Sequence, residues 1–230
     1  HETPQFAFNR WIIEQTHAVA SAYKPNTAFY EARGAQGWHE LRLTIDYLRA
    51  EYPDILTICD AKRGDIGSTN NGYARAIFDD LGFDAVTLHP YTGAEALAPF
   101  LNRADRACII LCRTSNPGSA EFQALMVDGR PLWLHITQHV RDHWNKAGNC
   151  MLVAGATYPD ELRQIRELVG DMPLLVPGIG AQGGDIEATV RAGQTADGLG
   201  LIINASRSII FSENPGRVAA DLRDAINRCR

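Results

Sequence analysis

The chain has 230 residues, 45% of them hydrophobic and 21% charged, which suits one soluble globular domain with a sizeable core. Lys and Arg number 22 against 27 Asp and Glu, a formal net charge of −5 with no basic run or aromatic-interleaved arginine patch. Nucleic acid is therefore not an expected partner, whereas a small acidic ligand is compatible with positive charge concentrated locally.

The elements follow in chain order. A helical pattern, "FNRWIIEQTHAVASAY", opens the chain, and a strand-like run comes next at 22–29 ("AYKPNTAF"). The helix "GWHELRLTIDYLRAEY" leads to a second apolar run at 55–62 ("ILTICDAK"), and "NNGYARAIFDDLG" leads to a third at 84–90 ("DAVTLHP"). The fourth run, 107–114 ("ACIILCRT"), contains Cys108 and Cys112. The five cysteines lack disulfide-framework spacing, so these two read as buried, reduced thiols. A fifth run at 150–157 ("CMLVAGAT") precedes the helix "PDELRQIRELVG", which Pro159 and Asp160 open and Gly170 closes. The last two runs, 173–180 ("PLLVPGIG") and 198–206 ("GLGLIINAS"), flank the helix "GDIEATVRAG", ending at Gly193.

Alternation at this spacing is that of repeated βα units, and no linker interrupts it, so residues 1–230 are expected to form one α/β domain. Runs that are apolar at nearly every position predict a parallel sheet packed on both faces. Seven runs are visible where a closed (β/α)8 TIM barrel has eight. The expected fold is that barrel with its first strand missing from this chain; an open seven-stranded sheet is the alternative. No apolar run reaches the roughly 18 residues of a membrane span, and "HETPQFAFNR" lacks signal-peptide form, so the cytoplasm is the expected compartment.

Chemistry concentrates in "TICDAKRGDIGSTN", residues 57–70. Side chains two apart on a strand share a face, so Asp60 and Lys62 are expected to point together into the barrel at its C-terminal rim. Asp65 follows on the loop. A charge still within a strand needs a partner, and a lone lysine in an apolar run does too. Lys24 in the first run is therefore expected to meet Asp60, giving the alternating array Lys24, Asp60, Lys62, Asp65. Carboxylates beside Lys62 favour its ammonium form. That suits a proton donor and charge anchor, and disfavours a Schiff-base nucleophile, which needs the neutral amine.

The segment "VPGIGAQGGD" (176–185) satisfies G-x-G-x-x-G through Gly178, Gly180 and Gly183. A dinucleotide site would place that motif in the first βαβ unit with an acid about 20 residues on. Here it falls late in the series, which fits better a phosphate cradle in the loops after the last two barrel strands. Arg207 in "NASRSII" suits a bidentate phosphate contact, and Gln182 either reaches the ligand or is plain loop. "CRTSNPGS" offers Ser115 and Asn116 to the polar edge of a heterocycle, or else ordinary Asn-Pro-Gly turn chemistry. His89 either lines the site or only packs. His135, His139 and His143 share a helix face without an evident fourth ligand and read as a solvated face.

"DAKRGDIGST", "CRTSNPG", "VPGIGAQGGD" and "NASRSI", in that order, resemble orotidine 5′-monophosphate decarboxylase in its larger bacterial subgroup. The resemblance covers nearly all of residues 22–210. It implies a (β/α)8 homodimer that decarboxylates orotidine 5′-monophosphate to uridine 5′-monophosphate and CO2, using neither metal nor organic cofactor. By matching position, Lys24, Asp60, Lys62 and Asp65 would be the charged tetrad, with Lys62 giving the proton to C6. Asp65 and Thr69 would reach into the neighbouring subunit's site. Ser115 would contact the pyrimidine, and Pro177, Gln182, Arg207 and the backbone of Gly180, Gly183 and Gly184 would line the substrate and its phosphate. The family also carries a ribose-contacting aspartate in a G-L-D-P segment of its first strand. This chain has no such segment, in keeping with the missing strand. A related sugar-phosphate decarboxylase using a metal-bound enediolate is the second enzyme reading, and a non-catalytic phosphate-binding barrel is the third.

Overall fold

A computed structural model of the chain describes residues 2–179 and 184–230. Its strands are β1 (Ala22–Tyr23), β2 (Leu56–Arg63), β3 (Ala85–Leu88), β4 (Ala107–Arg113), β5 (Met126–Val127), β6 (Arg130–Pro131), β7 (Cys150–Ala154), β8 (Leu174–Pro177) and β9 (Leu201–Asn204). Among the described residues, seven parallel strands form one sheet in the order β1-β2-β3-β4-β7-β8-β9, and β5 and β6 make a separate antiparallel hairpin. Strand follows strand in chain order with helices between, so each crossover returns the chain to the same end of the sheet. These are seven strands of a (β/α)8 barrel, with β1 and β9 at the two edges.

Because the runs are apolar at both parities, each strand fills two cores. Ile58, Ala85, Ile109, Met151, Val153 and Leu175 pack together on the inner face. Cys59, Val86, Ile110, Leu152 and Leu174 face outward, against helix residues such as Leu41, Ile45, Phe100 and Ile165. Cys108 and Cys112 are buried free thiols, as expected, and so are Cys59 and Cys150. No helix of the described residues is long and apolar enough to cross a membrane.

The first run departs from expectation. Only Ala22–Tyr23 is strand, because Pro25 lacks an N–H and Asn26 turns the chain. The Asn26 side chain accepts from Ala28 N at 3.0 Å and opens the short helix Ala28–Glu31. The helix expected at 70–82 is α-helical over Ser68–Ala74 and widens to a π-helix over Arg75–Asp80. Pro159 and Gly170 bound their helix as expected, with Gly170 at φ 60°. Gly193 instead ends its helix by close packing, since a Cβ there would lie 2.9 Å from Leu201 and 3.0 Å from Leu162.

One buried cation ties the bottom of the last strands together. Arg166 donates to the carbonyls of Gly170, Met172, Gly193 and Gly200, satisfying helix ends and strand starts that would otherwise be orphaned.

Candidate active site

β2 carries the centre of the site. Ile58 lies in the inner cluster, and Asp60, two residues on, shares its face at the C-terminal end of the strand. Asp60 is only 7% exposed. Lys24 Nζ lies 2.6 Å from its Oδ2, Lys62 Nζ 2.5 Å from its Oδ1, and Thr87 Oγ1 donates to Oδ1 at 3.0 Å. Asn26 Nδ2 approaches Oδ2 at 3.4 Å. Burial alone would raise the Asp60 carboxyl, but the ammonium groups of Lys24 and Lys62 outweigh it and hold the group below its ordinary value.

Lys62 reaches this position by an unusual backbone. Its φ is 47°, in the left-handed region, and the β2–β3 register shifts between Cys59 and Arg63. A non-glycine residue there needs support. Thr87 supplies it by accepting from Lys62 N at 2.9 Å, and His89 N donates to Arg63 O at 3.0 Å beyond the bulge. The Lys62 side chain is half-exposed, so one end of the pair is buried carboxylate and the other meets solvent.

Asp65 lies apart from the Lys24–Asp60–Lys62 cluster of its own chain. Gly64, at φ 154°, packs on the His89 ring and swings the loop outward. Asp65 is exposed, and its Oδ1 accepts from Ile66 N at 2.7 Å. The loop itself is fixed by Asn70, which is fully buried: its amide donates to Asp65 O and Ala96 O, and its Oδ1 accepts from Asp65 N. Thr69, on the same helix, is exposed. His89 thus packs under the loop, and it also lines a cavity beside Asn116 and Ser119.

Ser115, Pro177, Gly184 and Arg207 lie at or beyond the C-terminal ends of β4, β8 and β9. Gly155 N donates to Arg113 O at 2.8 Å, and a Cβ on Gly155 would lie 2.9 Å from the Ser115 backbone, so only glycine admits Ser115 there. Ala156 N donates to Pro177 O at 2.9 Å, and Gly184 N to Gly178 O at 3.1 Å. A Cβ on Gly184 would meet Gly178 O at 2.7 Å and Ala156 at 2.8 Å. Pro177 pairs with Asn204 at the end of β9, and exposed Arg207 opens the helix Arg207–Ile210 just beyond. Gly180, Gln182 and Gly183 lie outside the described residues.

Sequence reading missed Thr87, Asn26 and Asn70. Their signal was faint: a threonine inside "AVTLHP" and asparagines in segments that read as strand or helix start. The histidines 135, 139 and 143 make local contacts. His135 Nε2 lies 2.8 Å from Val127 O, His139 packs against His143 and Trp144, and no metal-ligating group of three forms among the described residues.

Residues 5–222 match the family model described as Orotidine 5'-phosphate decarboxylase / HUMPS family. The chain is similar to the orotidine 5'-phosphate decarboxylase of Janthinobacterium sp. (strain Marseille), with 52% identity over 96% of this chain and 83% of that one. Among solved structures it is similar to Leishmania donovani OMP decarboxylase, with TM-score 0.93 and 39% identity over 100% of this chain and 88% of that one. It also resembles Leishmania donovani UMP synthase, with TM-score 0.95 and 41% identity over 100% of this chain and 51% of that one. The open-sheet alternative falls with these matches. A family match spanning almost all of the chain, agreeing with a relative at 52% identity, shows that this protein belongs to the orotidine 5'-phosphate decarboxylase / HUMPS family.

Proposed function

We propose that the protein decarboxylates orotidine 5′-monophosphate to uridine 5′-monophosphate and CO2, with Lys62 as the proton donor to C6. The observation that carries this reading is the Lys24–Asp60–Lys62 chain of contacts at the C-terminal rim, 2.6 and 2.5 Å long. Loss of CO2 leaves an electron pair at C6 that the ring cannot delocalise. An ammonium fixed by a buried carboxylate stabilises that charge as it develops and then fills the orbital with a proton. Because Asp60 is anchored from Lys24, Thr87 and Asn26, it orients Lys62 without reorganising during the reaction.

The rim formed by Ser115, Pro177, Gly184 and Arg207, with Gly180, Gln182 and Gly183, takes the pyrimidine at one end and the phosphate at the other. Close backbone approach at Gly184 and a guanidinium at Arg207 suit a phosphate dianion. Neither a metal nor an organic cofactor is needed for this chemistry.

The active unit is a homodimer in which Asp65 and Thr69 serve the partner's site. Asp65 is exposed with no cation beside it in its own chain among the described residues. Next to it Ile66 is 64% exposed, and Tyr91, which neighbours the supporting His89, is 74% exposed. Such apolar side chains around a displaced carboxylate suit a face covered by a second copy.

Following the loss of orotate absorbance in the full-length protein tests the reading directly. Turnover is expected for the wild type, in excess chelator as without it, and loss of turnover with retained uridine 5′-monophosphate binding for Lys62→Ala. Near-normal turnover by Lys62→Ala removes the lysine from the proton-donor role, and activity that vanishes in chelator favours the metal-dependent sugar-phosphate chemistry instead.

A further inference from the structure

We propose that Arg113 is a positioning residue that sets the loop 114–123 against the pyrimidine, a role that rests on the reading of Ser115 given above. At the end of β4 the register with β7 shifts between Leu111 and Arg113, so Arg113 pairs with Ala154. Cys112 and Arg113 therefore both turn away from the barrel interior: the Cys112 thiol lies 2.9 Å from Thr137 Oγ1, and Arg113 meets the helix Pro159–Val169. Its side chain is only 3% exposed.

Every group around this buried guanidinium belongs to the loop or to the neighbouring βα unit. Nε donates to Glu161, Nη1 donates to Ser119 Oγ and reaches Gln123 Oε1 at 3.5 Å, and the plane lies 3.9 Å above the Tyr158 ring. Gln123 passes the constraint on. Its Oε1 accepts from Thr114 N at 2.9 Å, and its Nε2 donates to Thr114 Oγ1 at 2.9 Å. Thr114 Oγ1 then donates to Asn116 Oδ1 at 2.7 Å. Ser115 sits between Thr114 and Asn116, with its backbone pressed against Gly155. One cation thus fixes both ends of the segment that presents Ser115, and it ties that segment to the wall formed by Tyr158 and Glu161.

Stability alone is a poor reason for this arrangement. A buried ion pair gains little over well-packed apolar residues of the same volume, whereas it enforces one geometry. The geometry here is that of a loop held by one outward-facing anchor, with Thr114, Asn116 and Gln123 bonded to one another.

Affinities of the full-length protein for uridine 5′-monophosphate and for ribose 5-phosphate, which lacks the base, separate positioning from general support. Arg113→Met is expected to weaken uridine 5′-monophosphate about tenfold while ribose 5-phosphate stays within about twofold. Gln123→Ala, on the surface helix Ala120–Gln123, is expected to do the same and covers the case in which Arg113→Met fails to fold. Equal weakening of both ligands, or no weakening of either, overturns the proposal. Ser115→Ala tells the two readings apart. If it leaves the ratio of affinities unchanged while Arg113→Met moves it, the Ser115 contact is wrong and the loop's placement by Arg113 stands. If only Ser115→Ala moves the ratio, Arg113 is excluded. Equal affinity of the wild-type protein for the two ligands sinks both.

Discussion

Thr87→Val isolates the strut beneath the charged cluster, because it keeps shape and removes one hydroxyl. That hydroxyl donates to Asp60 Oδ1 at 3.0 Å and accepts from Lys62 N at 2.9 Å, at a position 1% exposed where water cannot substitute. The bond to the carboxylate is of the charge-assisted kind, about 1.5–3 kcal/mol, and the backbone bond contributes about 1 kcal/mol more. The variant is thus expected to lose about 2.5–4 kcal/mol of folding stability, read from the urea midpoint at constant slope. Lys62 also loses the acceptor that supports its left-handed backbone, so its ammonium shifts relative to C6. A displacement on the order of 1 Å costs roughly 100-fold in kcat, with KM changed by less than about threefold because Thr87 is not proposed to touch substrate. Steady-state assays at saturating and limiting substrate give both numbers. A stability loss with kcat unchanged would refute the positioning argument, and no loss of either kind would refute the hydrogen bonds themselves.

Two further outcomes follow from titration. Asp60 has a folded pKa below its ordinary 3.8, since the two lysines outweigh the effect of burial. Its contribution is therefore complete above the unfolded value and is lost as pH falls through the folded one. Asp60→Asn is expected to be less stable by about 3 kcal/mol at neutral pH, and the gap should narrow only below about pH 4. A gap that closes between pH 5 and 7 in urea titrations would contradict the assignment. Burial also pushes Cys59 and Cys112 up to about 12, Cys150 up to about 11 and Cys108 higher still, while Cys229 is half-buried. At pH 8 one of the five thiols should react quickly with an aromatic disulfide and the other four only in denaturant. A second fast thiol would mean that the layer between sheet and helices opens.

How far the sequence could be read depended on whether a residue's own run demanded a partner for it. The βα alternation was legible because burial on both faces leaves apolar residues at every strand position. Lys24–Asp60 was legible because a lysine in an apolar run demands a counter-charge, even though Lys24 proves to lie just past the strand. The contact of Asp60 with Lys62 was expected from the two-residue period of an extended chain, and it arises instead from a bulge and a left-handed Lys62. The outcome agreed while the backbone did not. Thr87 and Arg113 were invisible because a threonine in a strand and an arginine at a strand end are ordinary there and name no partner, and Asp60 and Glu161 lie 27 and 48 residues away.

Asp65 is the charge that local alternation alone could not assign to its own chain's cluster. Gly64 and the buried Asn70 amide hold its loop apart from Lys24, Asp60 and Lys62. The electrostatics make sense of that separation. Lys24, Asp60 and Lys62 sum to one positive charge in a mostly buried cluster, which draws in an anion but does not favour expelling CO2 over binding a carboxylate. A second carboxylate on the far side of Lys62 in the proposed dimer would neutralise that surplus and flank the ammonium on both sides. In the proposed dimer the Asp65 loop is a rigid projection fixed by Asn70, so the carboxylate is delivered at a set distance and assembly becomes a condition of catalysis.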